Sequence, residues 1–119
     1  EFVEAKLFFD FCQGKKLAGI NAFNVEADEY IGGLSDVTGE IVRKMVIMVT
    51  QKKINEAEAA STAIYDIIHV LLQNNLSGYL RTKADQAKKS LQKSEEILYD
   101  ISVRLKSHAT FQSTIGKRK

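Results

Sequence analysis

Four carboxylates in two short stretches raise the first chemical question. Glu1 and Glu4 stand one helical turn apart in "EFVEAKLFFDF", and Asp36 and Glu40 stand four apart in "EYIGGLSDVTGEIVR". Carboxylate oxygens unaccompanied by histidine or cysteine suit a hard cation, Mg²⁺ or Mn²⁺. A cation held there could activate a water and offset charge on a phosphodiester. Glu4 also shares a helical face with Phe8 and Cys12, and a charge that continues an apolar stripe is rarely buried unless paired or bound to a cation. The opposing reading is a solvated acidic face, with Glu40 paired to Arg43 or Lys44 at helical spacing, a contact worth about 0.2–0.5 kcal/mol. From spacing alone the solvated face is the default.

Gly32 and Gly33 sharpen the question. At about 3.6 residues per turn, Glu29, Gly33, Asp36, Glu40 and Lys44 share one narrow face of a helix. Glycine weakens a helix interior by about 1 kcal/mol relative to alanine. Two of them beside an acid imply that something approaches closely: another helix, a metal or a phosphate. If the first helix packs alongside, Glu4 and Asp36 can face one another.

Other chemistry-bearing residues have weaker claims. Asp66 and His69 have the spacing of a di-iron bundle motif, but such bundles need two copies and further glutamates, and the second histidine, His108, lies far off. Cys12 sits among phenylalanines and reads as a small core residue. Arg81, Lys83, Lys88, Lys89 and Lys93 form a basic row late in the chain. That row is either a solvated lysine surface or a phosphate contact. Tyr79 and Tyr99 read as packing aromatics, with base stacking as the alternative.

The elements that position these residues are helices. The chain has 119 residues, no proline and seven glycines, so helices meet few breakers. The first helix carries Val3, Leu7 and Phe11 on one stripe and ends near Gly14. An aperiodic loop follows to residue 26. The second helix spans about Asp28 to Val49, with Tyr30, Leu34, Val37, Ile41, Met45 and Met48 along one side. Asn55 and Glu58 suggest a capping box for the third, whose face is Ala57, Ile64, Ile68, Leu71 and Leu72. "QNNLSG" breaks the pattern. The fourth helix spans Tyr79 to Lys106, with a heptad-like seam of Leu80, Ala84, Ala87, Leu91, Ser94, Leu98, Ile101 and Leu105. Residues 107–119 read as a loose basic tail. The expected architecture is a single all-α domain, an antiparallel bundle. Its long seam raises the expectation of self-association through the fourth helix.

Composition narrows the class. Hydrophobic residues make up 45% and charged residues 27%, which fits a globular chain rather than a disordered one. The net charge of +2 is too small to demand a polyanionic partner. Its distribution is lopsided: residues 1–78 carry seven basic and eleven acidic residues, and residues 79–119 carry ten and four. One cysteine excludes an internal disulfide and fits a reducing compartment. No apolar run nears the roughly 18 residues of a membrane span, and the expected location is cytoplasmic, without membrane contact.

"EFVEAKLFFDF", "EYIGGLSDVTGEIVR" and "LRTKADQAKKSLQKSEEILYDISVR", in that order, resemble the translin superfamily, and more closely its translin-associated factor X branch. The resemblance covers nearly the whole chain apart from the loop at 14–26 and the tail. It implies an all-α fold of the translin type, assembly into a homo-oligomer or with translin-like subunits, and RNA or single-stranded DNA as partner. The factor X branch further implies a Mg²⁺-dependent endoribonuclease. Carried onto this sequence, its acids are Glu1, Glu4 and Asp36, with Glu40 as a neighbouring ligand or orienting group. Family members have helices before "EFVEA", so N-terminal helices are expected to be missing. The alternative expectation is a non-catalytic single-strand-binding subunit resembling translin; a third is a purely structural helical protein.

Overall fold

A computed structural model describes residues 2–118, with side chains over residues 2–106. It contains four α-helices and, among the described residues, no strand: α1 (Phe2–Cys12), α2 (Ala27–Thr50), α3 (Ile54–Leu72) and α4 (Gly78–Arg118). A single 3-10 turn, Ile20–Ala22, interrupts the long loop between α1 and α2. The all-α bundle expected from the hydrophobic period is what forms.

α2 is the hub, packed against α1, α3 and α4. Its stripe behaves as the spacing predicts, with Leu34, Val37, Ile41, Met45 and Met48 buried. These side chains meet Val3 and Leu7 of α1, Ala60 and Ile64 of α3, and Ala84 and Ala87 of α4 in one core. The short connections at residues 51–53 and 73–77 reverse the chain twice. The N-terminus of α2, the C-terminus of α3 and the N-terminus of α4 therefore gather at one end of the bundle.

Two hydrogen-bonding details fix the chain's corners. α1 closes when the Lys15 amide donates to the Asp10 carbonyl and the Gly14 amide to that of Phe11. Gly14 has φ +71°, a left-handed geometry that glycine adopts without steric cost. The following loop is tied to α2 by the Tyr30 hydroxyl, which donates to the Ala18 carbonyl at 2.9 Å. Phe23 is buried between Phe2 and Tyr30.

Four expectations need correcting. Cys12 is exposed: it lies half a turn round α1 from Val3, so it cannot share that buried stripe. The capping box on α3 does not form. Lys53 takes the cap position without a side-chain hydrogen bond, which places Asn55 inside the helix. Tyr79 and Tyr99 stand in solvent rather than packing between helices. Lastly, α4 continues as helix to Arg118 instead of stopping near Lys106, and no proline intervenes to end it.

The α4 seam divides in two. Ala84, Ala87 and Ser94 are buried within the chain's own bundle, with Leu80 and Leu91 partly buried against it. The Ser61 and Ser94 hydroxyls meet at 3.0 Å and set the antiparallel register of α3 on α4. On that register Ile54, where α3 begins, lies level with Ile101, and α4 runs on beyond it. Leu105 is accordingly exposed. Among the described seam residues Leu105 is left exposed, whereas the near half packs within the chain, so a charge at Leu91 would disturb folding as well as any association.

Candidate functional site

The close approach implied by the two glycines is a helix contact at one position and a lysine at the other. A Cβ on Gly33 would lie 2.6 Å from Val3 Cγ1, 2.7 Å from Val3 Cβ and 3.1 Å from the Glu4 amide nitrogen. The bare backbone of Gly33 is thus what lets α1 dock on α2 at Glu4. A Cβ on Gly32 would meet only the Lys83 side chain, at 3.8 Å and beyond.

That docking brings Glu4 close to the acids of α2. Burial pushes the Glu4 carboxyl above its ordinary value, and the negative charges of Asp36 and Glu40 push it further the same way, with Lys83 acting in opposition. Glu40 is held by Arg43 at 3.0 Å, the helical pairing that spacing had made the default. Asp36 has a partner that local spacing did not suggest. Lys83 reaches across from α4 and its Nζ donates to Asp36 Oδ2 at 2.5 Å. Burial alone would lower the Lys83 ammonium, but the Asp36 hydrogen bond and the Tyr79 side chain outweigh it and leave Lys83 above its ordinary value. Glu1 lies outside the described residues.

Asp36 and Lys83 form part of the wall of a cleft of about 710 Å³ at the bundle end where α2 and α4 begin. Gly32, Gly33 and Val3 line it beside them, and Asn75, Ser77 and the exposed Tyr79 border it on the α4 side. Asp28 and Glu29 also face it. A polyanion entering this acid-lined cleft needs cations to accompany it.

The basic row loses one member and keeps four. Lys83 follows the seam residue Leu80 by three and precedes Ala87 by four, so it leaves α4 beside the core and toward α2. Arg81, Lys88, Lys89 and Lys93 point outward and are exposed. Lys88 lies 3.7 Å from Asp85. Asp66 and His69 are both exposed and His69 sits near Gln73, so no di-iron arrangement forms around them; the His108 side chain lies outside the described residues.

Lys83 belongs to the basic row by composition, but its seam position is the signal that turns it toward Asp36. One charged residue, Asp10, has no place among the sequence-based candidates. It continues the buried stripe of Val3 and Leu7 by a step of three and is only 4% exposed. Lys6, one turn back, pairs with it at 3.0 Å.

The cluster tests a divalent cation on its own geometry. Among the described residues, no three His, Cys, Asp or Glu side chains form a ready-made metal cage. Mg²⁺ does not need one: it keeps several waters and is commonly held by one or two carboxylates together with substrate phosphates. Glu4 and Asp36 would supply those oxygens: burial is the main cause of the upward push on Glu4, and the negative charges of Asp36 and Glu40 add to it. The residues fit such an ion.

The same push predicts a pH effect. Because folding raises the Glu4 carboxyl above its ordinary 4.5, the folded chain binds more protons than the unfolded one between those two values. Its contribution to stability is therefore fully present below about pH 4.5 and is lost as pH rises through the folded value. Glu4→Gln should raise the metal-free melting temperature at pH 7 and leave it nearly unchanged at pH 4. Melts of both proteins at the two pH values check this; a lower melting temperature for the variant at pH 7 would contradict it.

Comparison with known proteins gives one positive result. The sequence matches the Translin family over residues 1–105, and the chain belongs to that family. A search of curated proteins found no match. Family membership implies nucleic-acid binding and oligomer formation. Among the described residues, no helix is long and apolar enough to cross a membrane.

Proposed function

We propose, taking membership of the translin family as the premise, that this chain is an RNA-binding subunit of a translin-type assembly and cleaves RNA with the help of Mg²⁺. The observation that carries the catalytic part is the docking of α1 on Gly33, which brings Glu4 within electrostatic reach of Asp36 and Glu40. It favours the factor X branch over a purely binding translin-like role, because a binding surface for phosphate gains nothing from clustered carboxylates.

In this reading Glu4 and Asp36 hold the cation, and Glu1 is a third candidate ligand. Glu40, tied to Arg43, is placed to orient a bound water or a ligand. The bound ion would supply Lewis-acid stabilisation of the phosphoryl oxygens and a more acidic water. Gly33 holds α1 against α2 so that Glu4 stays opposite Asp36. Arg81, Lys88, Lys89 and Lys93, exposed on α4, contact backbone phosphates away from the cleavage point. The cleft beside Asp36 admits the strand, and the exposed ring of Tyr79 at its border can stack on a base.

The deciding experiment is incubation of the protein with an end-labelled single-stranded RNA, with Mg²⁺ and with EDTA. Cleavage that EDTA abolishes is the expected result. Binding of the RNA without cleavage in Mg²⁺ or Mn²⁺ would instead support the non-catalytic, translin-like subunit.

A further inference from the structure

Lys83 is unlike the other basic residues of α4. Its side chain is 17% exposed, it crosses to another helix, and it ends on the carboxylate assigned above to a cation. Its stem runs past Gly32, where a Cβ would lie 4.0 Å from Nζ. The ammonium also sits 5.0 Å from the centroid of the Tyr79 ring. It thus stands between an anionic site and an aromatic face that opens on the cleft.

We propose that Lys83 is the resident counter-ion of the acid site: its ammonium occupies the side of Asp36 where a divalent cation binds, and must swing into the cleft when the cation arrives. This rests on the reading of Glu4 and Asp36 as Mg²⁺ ligands. A lysine ammonium is a compact charge on a flexible four-carbon stem, so it can both hold a carboxylate and leave it. It cannot share the same oxygen with a divalent ion, since like charges a few ångströms apart repel strongly at a half-buried site. The cleft has room for the displaced side chain, and Tyr79 offers a ring face that attracts a cation. Lys83 thereby keeps α2 and α4 together before the ion binds, and it sets how tightly the ion is held.

Mn²⁺ binding by the full chain, followed from the electron paramagnetic resonance of the free ion, tests this without any cleavage assay. Lys83→Met should bind Mn²⁺ about tenfold or more tightly than wild type, because a competing charge is gone. Lys83→Arg should bind it more weakly, since a guanidinium fork grips a carboxylate more firmly. Lys53→Met, a loop change distant from the site, should leave the affinity unchanged. Without metal, Lys83→Met should melt lower than wild type, and Mn²⁺ should restore most of the loss. If Lys83→Met fails to fold, the arginine variant still decides: equal or tighter Mn²⁺ binding by it overturns the proposal. Equal affinity in wild type and both Lys83 variants also overturns it, while leaving the acids as metal ligands. Absence of Mn²⁺ binding in every protein overturns the metal reading, and the counter-ion role falls with it.

Discussion

Asp36→Asn is expected to lower Mg²⁺-dependent RNA cleavage by at least about 100-fold, because removing a metal ligand forfeits several kcal/mol of charge stabilisation in the transition state. RNA binding and helical content should stay close to wild type. The amide keeps the shape of the side chain and an oxygen for Lys83 to donate to, but it no longer carries the charge that holds a cation. The effect on stability is the balance of two changes. The charged hydrogen bond from Lys83 weakens, in a pair whose Asp36 end is about a third exposed. Glu4 meanwhile loses the larger of the two negative charges that disfavour its ionised form. Exposed or half-exposed ion pairs contribute at most about 1 kcal/mol, so the two nearly cancel. A purely structural Asp36–Lys83 clamp predicts the opposite pattern, with a lower melting temperature and unaltered cleavage. Single-turnover cleavage and thermal unfolding of the same variant separate the two, and undiminished Mg²⁺-dependent cleavage would remove Asp36 from the mechanism.

How far the sequence disclosed this arrangement depends on the range of each interaction. The α2 stripe from Leu34 to Met48 could be read directly, because a period near 3.6 residues is a property of one helix and needs no knowledge of its neighbours. The Glu40–Arg43 pair could be read for the same reason. Contacts between helices were legible only where a residue type betrayed them. Gly33 announced a close approach but not its partner, Val3. Lys83 looks like its neighbours Arg81 and Lys88, and only its place between Leu80 and Ala87 distinguishes it: composition puts it on the exposed basic face, whereas its helical phase turns it toward Asp36 on α2. Cys12 failed in the same way, counted with Phe8 although it lies opposite Val3. The Ser61–Ser94 hydrogen bond had no local signal at all: a serine in a heptad seam reads as a weak core position until the register of the facing helix is known. The acids share this limit. Glu4 and Asp36 are 32 positions apart in the chain, and only the docking of α1 on α2 makes them neighbours.

That docking leads to the second large effect: alanine at Gly32 should stabilise the fold, and alanine at Gly33 should not. Both glycines lie inside α2 with helical backbone, and neither has the positive φ seen at Gly14 and Gly78. Alanine at either position gains about 1 kcal/mol of helix propensity over glycine. At Gly32 the new Cβ meets Lys83 Cδ at 3.8 Å, an ordinary contact, so the gain is kept. At Gly33 it meets Val3 Cγ1 at 2.6 Å and the Glu4 backbone nitrogen at 3.1 Å. Val3 is buried in the core and the backbone cannot turn aside, so α1 must lift from α2. Overpacking of this kind costs about 1–3 kcal/mol, enough to cancel or exceed the propensity gain. The two variants should therefore differ by about 1–3 kcal/mol in unfolding free energy. Gly33→Ala should also lose cleavage, because lifting α1 carries Glu4 away from Asp36; Gly32→Ala should keep it. Urea unfolding and RNA cleavage on the pair give the answer together. Equal stabilisation by both alanines would mean that α1 does not rest on Gly33, and that Glu4 is not held beside Asp36 by this contact.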